Sequence, residues 1–243
     1  MQALQYALVG LAPGLFWLWY FRRKDDLEPE PRTMLLRVFA FGTVAAGLVM
    51  LLRPWYEPLV PAAPRAARLV VDAFVVTGLF EELAKTGAFL AGAYFHRELD
   101  EPLDGIIYGI AAALGFASIE NVVYLIQLGD ARVVVLRAFT ATLGHVAFTG
   151  SIGFFFGLAK FARPGRRPGL IATGLAVGAL FHGAYDVFLF MAGTVRYLSL
   201  LFVLPLALLL LGLKIRWTRA LSPRYHPVPR EEEGPGGRRR PPA

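Results

Sequence analysis

The chain has 243 residues, of which 56% are hydrophobic and none is cysteine, and its formal net charge is +7. So apolar a composition, with several stretches near 20 residues that hold few charges, indicates a polytopic helical membrane protein. The lack of cysteine excludes disulfides, thiolate zinc sites and a cysteine nucleophile. Because the basic residues fall between apolar segments and near the C-terminus, we interpret them as topology signals and expect no nucleic-acid partner.

Seven apolar windows predict an all-α membrane bundle of about seven transmembrane helices. In chain order they are residues 3–21, 34–52, 69–94, 103–128, 138–161, 170–192 and 197–213. The first window has no basic residue before it and no small-residue cleavage pattern after it. It therefore predicts an uncleaved helix and not a signal peptide.

The distribution of Lys and Arg predicts the orientation of the bundle. With the N-terminus outside, 18 of the 25 Lys and Arg residues face the cytoplasm, six face outward, and Lys85 lies in the membrane. This imbalance predicts that the N-terminus is outside and the C-terminus cytoplasmic. We expect residues 1–221 to form one integral-membrane domain in contact with the lipid bilayer. Residues 222–243 are rich in Pro, Gly, Arg and Glu, which predicts a disordered cytoplasmic tail.

The third window contains an unusual charged element, Glu81-Glu82-Leu-Ala-Lys85. A charge near the centre of a bilayer costs about 2.5–3.5 kcal/mol even on lenient insertion scales. Both glutamates have helical spacing to Lys85 and could pair with it on one helix face. A purely structural salt bridge explains one carboxylate beside one lysine. The second carboxylate favours a functional interpretation.

Three further windows also carry polar residues at depth. They are Glu120 and Asn121 in the fourth window, His145 in the fifth, and His182 and Asp186 in the sixth. A helical rise of about 1.5 Å per residue places the acids and imidazoles roughly 10–18 Å below the outer surface. A shared layer predicts one interior site, although either histidine alone could be a buried core residue. The i,i+4 spacing of His182 and Asp186 lets the carboxylate orient the imidazole.

Carboxylates that face imidazoles in a pocket suit two kinds of chemistry. A glutamate can act as general base on water while a neighbouring donor stabilises the developing oxyanion. The same groups could instead hold a divalent metal such as zinc, with two histidines and one glutamate leaving a position open for water. The candidate ligands are His145 and His182 with Glu120 or Glu81. No His-Glu-x-x-His element occurs, so the ordinary zincin arrangement is absent.

Four short motifs, taken together, resemble the PrsW-type intramembrane proteases over roughly residues 5–215. The Glu-Pro-Glu-Pro stretch at 28–31 is similar to the segment that follows the first helix in this family. The motifs are Glu81-Glu82-Leu-Ala-Lys85, Phe116-Ala-Ser-Ile-Glu120-Asn121, His145, and His182-Gly-Ala-Tyr-Asp186. The related prenyl-protein endopeptidases carry Glu-Glu-x-x-x-Arg and Phe-x-x-x-His. The chain departs from these relatives at Lys85 and Glu120, which disfavours prenyl-protein processing.

The resemblance implies an endopeptidase of the bacterial cytoplasmic membrane that cleaves membrane-anchored proteins, with anti-sigma factors as the known substrate type. Residues 1–221 would then be the protease domain. Members are often described as metalloproteases, whereas glutamate and histidine act on water without an obligatory metal in the related prenyl endopeptidases.

The family motifs also imply a role for each residue. Glu81 would activate water, and Glu82 would support it and pair with Lys85. His182, oriented by Asp186, would position water or stabilise the oxyanion. Glu120 and His145 would complete the polar cage, and Asn121 would be a supporting residue.

Two other functions fit the same polar set. A proton-coupled transporter could use the intramembrane Glu, Lys and His residues as a relay. A catalytically silent scaffold could retain the site and only bind membrane partners. The sequence lacks paired, proline-broken helices in matching halves, which disfavours the transporter.

Overall fold

The computed structural model of the chain describes residues 2–23, 28–60 and 62–222. Helices account for most of these residues, and no strand occurs among them, so the all-α prediction is confirmed. Within the predicted tail, Ser222 is buried and donates a hydrogen bond to Glu101. The rest of that tail, residues 223–243, lies outside the described part of the chain.

The described part of the chain contains nine α-helices, with π-helical segments at 72–79, 90–94 and 199–203. The α-helices are α1 (Gln2–Arg22), α2 (Arg32–Tyr56), α3 (Arg65–Val71), α4 (Phe80–Phe89), α5 (Pro102–Leu128), α6 (Ala131–Phe139), α7 (Ala141–Phe161), α8 (Arg167–Phe190) and α9 (Leu204–Leu221).

Six helical stretches among the described residues are long and apolar enough to cross a bilayer. They are Gln2–Arg22, Arg32–Tyr56, Pro102–Leu128, Ala131–Phe161, Pro164–Phe190 and Gly193–Leu221. The predicted third window, 69–94, differs from them because it carries four charged residues. It is nevertheless helical throughout, as part of one run from α3 to the second π-helical segment. The multi-pass architecture is therefore confirmed, and the count of seven and the orientation stay predictions.

Helix α5 lies at the centre of the bundle and packs against α1, α2 and α7. All of its residues from Pro102 to Ser118 are buried. Glycines allow the close approach of α7, since a Cβ built at Gly153 would lie 2.0 Å from the carbonyl oxygen of Gly105. Such close approach of helices through small residues is common in membrane proteins.

The fifth predicted window begins later than the helix that the structure contains. The apolar stretch is helical from Ala131 and breaks only at Thr140, whose φ of −121° and ψ of −91° interrupt the α-helical backbone between α6 and α7. Arg137 is one of the six basic residues predicted to face outward, which implies a loop position. It lies instead on α6, and its side chain is only 13% exposed.

The contact between α5 and α7 predicts a difference between two glycine substitutions. Gly153→Ala should lower the thermal unfolding midpoint, because overpacking against backbone atoms costs about 1–3 kcal/mol. Gly212→Ala in α9 is the matched control, since a Cβ there meets nothing within 4 Å and gains the same helix propensity. Thermal unfolding of both variants in detergent checks this, and equal midpoints would contradict the packing account.

Candidate active site

The charged element of the third window lies on α4, directly after the π-helical segment at 72–79. Single π-helical turns within α-helices are frequent at functional sites. Glu81, Glu82 and Lys85 are all buried on this helix. Three other helices, α5, α7 and α8, bring the remaining predicted residues against them.

Lys85 is the centre of the polar cluster. Its Nζ lies 3.2 Å from Oε2 of Glu81, 2.9 Å from Oε1 of Glu82 and 2.8 Å from Nδ1 of His145. An ammonium group has three hydrogen-bond donors, so each donor here has an acceptor. The same group lies 4.4 Å from the ring centroid of Phe116, which adds a cation–π contact. A buried charge with these contacts satisfies the requirement for pairing in an apolar interior.

The contacts of His145 define its tautomer. An ammonium group can only donate, so Nδ1 of His145 accepts from Lys85 and carries no proton. Its Nε2 lies 2.7 Å from Oε2 of Glu120 and therefore donates to that carboxylate. Both ring nitrogens therefore have a hydrogen-bond partner, and the contact with Glu120 orients the imidazole.

Glu82 holds His182 in place. Nδ1 of His182 lies 2.9 Å from Oε1 of Glu82, and Thr149 donates to the other carboxylate oxygen at 2.7 Å. The orienting partner predicted from the sequence was Asp186. Its carboxylate lies 3.6 Å from Nε2 of His182, beyond hydrogen-bonding distance, so the shorter contact with Glu82 fixes the ring. The ring also stacks on Phe148, with centroids 5.3 Å apart.

The two glutamates differ in their position relative to a cavity of about 330 Å³. Glu81 lines it and is 6% exposed, whereas Glu82 does not line it and is 0% exposed. Nε2 of His182, which the contact with Glu82 leaves as an acceptor, lies 3.8 Å from Oε2 of Glu81. Polar residues that also line the cavity are Glu120, Tyr124, Arg137, His145 and Asp186. The volume admits several water molecules, which take about 30 Å³ each in the liquid.

A divalent metal fits the donor set of the cavity wall. Glu81, His145 and His182 each offer one ligand atom, and these atoms lie within 4.8 Å of one another. Two imidazoles and one carboxylate with an open position are a common catalytic zinc set. The Glu82 contact to His182 is the type that orients a metal-binding histidine. His145 would exchange one of its present partners for the ion. Glu120, also a candidate ligand, contacts His145 instead.

Three residues of the site, Arg137, Thr142 and Thr149, were not predicted from the sequence. Arg137 donates to Oε2 of Glu120 at 3.0 Å and to Oδ1 of Asn121 at 2.7 Å. Asn121 in turn donates to Thr142 at 3.3 Å. Thr149, the third, follows His145 at i,i+4 on one face of α7, and this spacing could have revealed it. No comparable signal marked Arg137, because no proline or glycine indicates the break at Thr140.

A multi-pass helical bundle that holds buried glutamates and histidines around a cavity large enough for several water molecules has the groups that an intramembrane hydrolase requires. Residues 30–210 match the PrsW family of intramembrane metalloproteases. The chain is 36% identical to Protease PrsW of Geobacillus kaustophilus, over 81% of this chain and 85% of that relative. It is 34% identical to Protease PrsW of Bacillus subtilis, over 74% and 80%. Its identity to Protease PrsW of Clostridioides difficile is 29%, over 75% and 77%.

The chain therefore belongs to the PrsW family and is a protease of the cell membrane. No solved structure matches it significantly. The departures at Lys85 and Glu120 that disfavoured prenyl-protein processing agree with this assignment. Family membership also does not favour the transporter or the silent scaffold.

The central position of Lys85 predicts a large stability effect. Lys85→Met should lower the free energy of unfolding by about 3–5 kcal/mol, because it leaves buried carboxylates without their cation. The double variant Lys85→Met/Glu82→Gln should recover part of this loss, since it removes the unpaired charge as well. Unfolding in detergent measures both variants beside Glu82→Gln alone. A double variant less stable than Lys85→Met would contradict the pairing.

Proposed function

We propose that the protein is an intramembrane endopeptidase that hydrolyses a peptide bond of a membrane-anchored protein, with an anti-sigma factor as the substrate type. Glu81 is the general base in this proposal. The supporting observation is that Glu81 and His182 line one cavity, while Glu82 does not line it and binds Lys85 and His182.

The proposed reaction consumes one water molecule for each peptide bond. The Glu81 carboxylate accepts a proton from water as the water oxygen attacks the scissile carbonyl carbon. The carbonyl π electrons move onto oxygen and form a tetrahedral oxyanion. When this electron pair returns, the C–N bond breaks, and the proton held by Glu81 passes to the leaving nitrogen. The products are a carboxylic acid and an amine.

His182 positions the attacking water in this scheme. Its Nδ1 donates to Glu82, so Nε2 can accept a hydrogen bond from water inside the cavity. Lys85 and Thr149 hold Glu82, and the stacked ring of Phe148 limits rotation of the imidazole. Such prior orientation lowers the entropic cost of reaching the transition state.

Glu81, His145 and His182 are the residues that would hold a metal ion, and Glu81 and His182 would then bind the ion in place of their direct contacts with the attacking water. When bound, a zinc ion would supply Lewis-acid polarisation of water and of the scissile carbonyl.

The proposed base predicts a sharp loss of activity. Glu81→Gln should lower cleavage by at least about 100-fold, the lower range of general-base effects. Glu82→Gln and His182→Ala should also abolish cleavage, because they remove the orientation of the water-binding imidazole. The assay uses purified protein and a single-pass fusion that carries the membrane segment of an anti-sigma factor.

Glu57→Gln is the matched control, because Glu57 pairs with Arg53 at the end of α2 and does not line the cavity. This control should cleave at the rate of the unaltered protein. Unchanged cleavage in all three site variants, with thermal unfolding confirming that they are folded, would refute the proposed mechanism. Absence of cleavage by the unaltered protein across a panel of such fusions would refute the proposed substrate type.

The three-ligand set predicts a response to chelation. Exhaustive chelation should lower cleavage, and one equivalent of zinc should restore it, because two histidines and a carboxylate converge on the cavity. Elemental analysis should find less zinc in His182→Ala than in the unaltered protein. Full activity in metal-free protein would instead show that Glu81 acts on water without an ion.

A further inference from the structure

We propose that Arg137 contacts the substrate and stabilises the oxyanion that forms on the scissile carbonyl. The inference rests on the proposed peptide hydrolysis and adds a residue outside the four sequence motifs. Its evidence is the position of the guanidinium group, its contacts and its remaining donors.

The helix break brings Arg137 to the cavity. Arg137 lies three residues before Thr140, on the short helix α6. Its side chain is 13% exposed, and it lines the same cavity as Glu81 and His182. A positive charge is thereby held beside the groups proposed to activate and position water.

Three contacts fix the plane of the guanidinium group. Nη2 donates to Glu120 at 3.0 Å, and Nε donates to Asn121 at 2.7 Å. The central carbon lies 4.0 Å from the ring centroid of Tyr124. Two donated hydrogen bonds and one contact with the face hold the fork in a single orientation, which is the preorganisation that oxyanion stabilisation requires.

The guanidinium group retains donors for a ligand. Nη1 of Arg137 carries two N–H groups and donates to no residue in the described part of the chain. Nη1 is not one of the fully buried atoms that lack a partner, so an acceptor that enters the cavity can reach its N–H groups. A peptide carbonyl supplies this acceptor, and a charge-assisted bond strengthens as the oxygen becomes anionic.

This role requires no proton from Arg137. The guanidinium donates a hydrogen bond while the carbonyl electron pair resides on oxygen, and the pair returns when the C–N bond breaks. Glu81 transfers the proton from water to the leaving nitrogen. Arg137 thus complements Glu81, because one group activates the nucleophile and the other stabilises the charge that the attack creates.

The test compares Arg137→Lys and Arg137→Ala with the unaltered protein on the same single-pass fusion. We expect kcat to fall by about 10²–10³ in both variants, as on removal of an oxyanion donor, with KM changed by less than about threefold. Lysine keeps a positive charge near Glu120, so this variant removes the guanidinium donors with less disturbance of the ion pair than alanine does. Arg132→Ala on the same helix is the control, because Arg132 is 91% exposed and pairs with Asp130.

A second measurement separates substrate contact from a purely structural role. A peptide phosphinate, whose tetrahedral anion replaces the scissile bond, should lose about 100-fold or more in affinity to Arg137→Lys, while the uncleaved substrate keeps its affinity. Equal losses for phosphinate and substrate, or kcat within threefold of the unaltered protein, would overturn the inference. Failure of the unaltered protein to cleave would refute the proposed function itself.

Discussion

The buried ammonium group of Lys85 is the interaction on which the rest of the site depends. Its three donors contact Glu81, Glu82 and His145, which belong to two different helices. Because an ammonium group cannot accept a hydrogen bond, it also determines which nitrogen of His145 carries the proton. One charge therefore pairs with both glutamates, joins α4 to α7 and determines that Nε2 of His145 donates to Glu120. Without it, adjacent carboxylates would be costly to bury.

Much of the site was predictable because helical spacing and depth are encoded locally. The charged element of α4 and the histidines of α7 and α8 meet as the common depth predicted. The orientation of His182 was not predictable, since a partner at i,i+4 is visible in the sequence and one on another helix is not. Asp186 was therefore the natural choice, although Glu82 makes the shorter contact. Spacing alone also left open which glutamate faces the cavity.

The fold was predictable to a similar degree, but the prediction was wrong at the start of the fifth window. Apolar windows located the membrane-crossing stretches. The window that ends at 161 started too late because Arg137 interrupts its apolar pattern, which is the usual sign of a loop. The structure accommodates this charge by pairing it with Glu120 and Asn121 inside the protein. The local hydropathy does not indicate whether a charged residue has a buried partner on another helix.

The π-helical winding at 72–79 determines which residues of this segment line the cavity. Asp72, Thr77 and Glu81 all line this cavity. In an ordinary α-helix, residues nine apart lie about two and a half turns from each other and point in opposite directions. The wider π turn, which bonds i to i+5, brings Asp72 and Glu81 towards one side. Loss of a single residue from this segment would rotate Asp72 by about 100° relative to α4 and turn it away from the cavity that Glu81 lines.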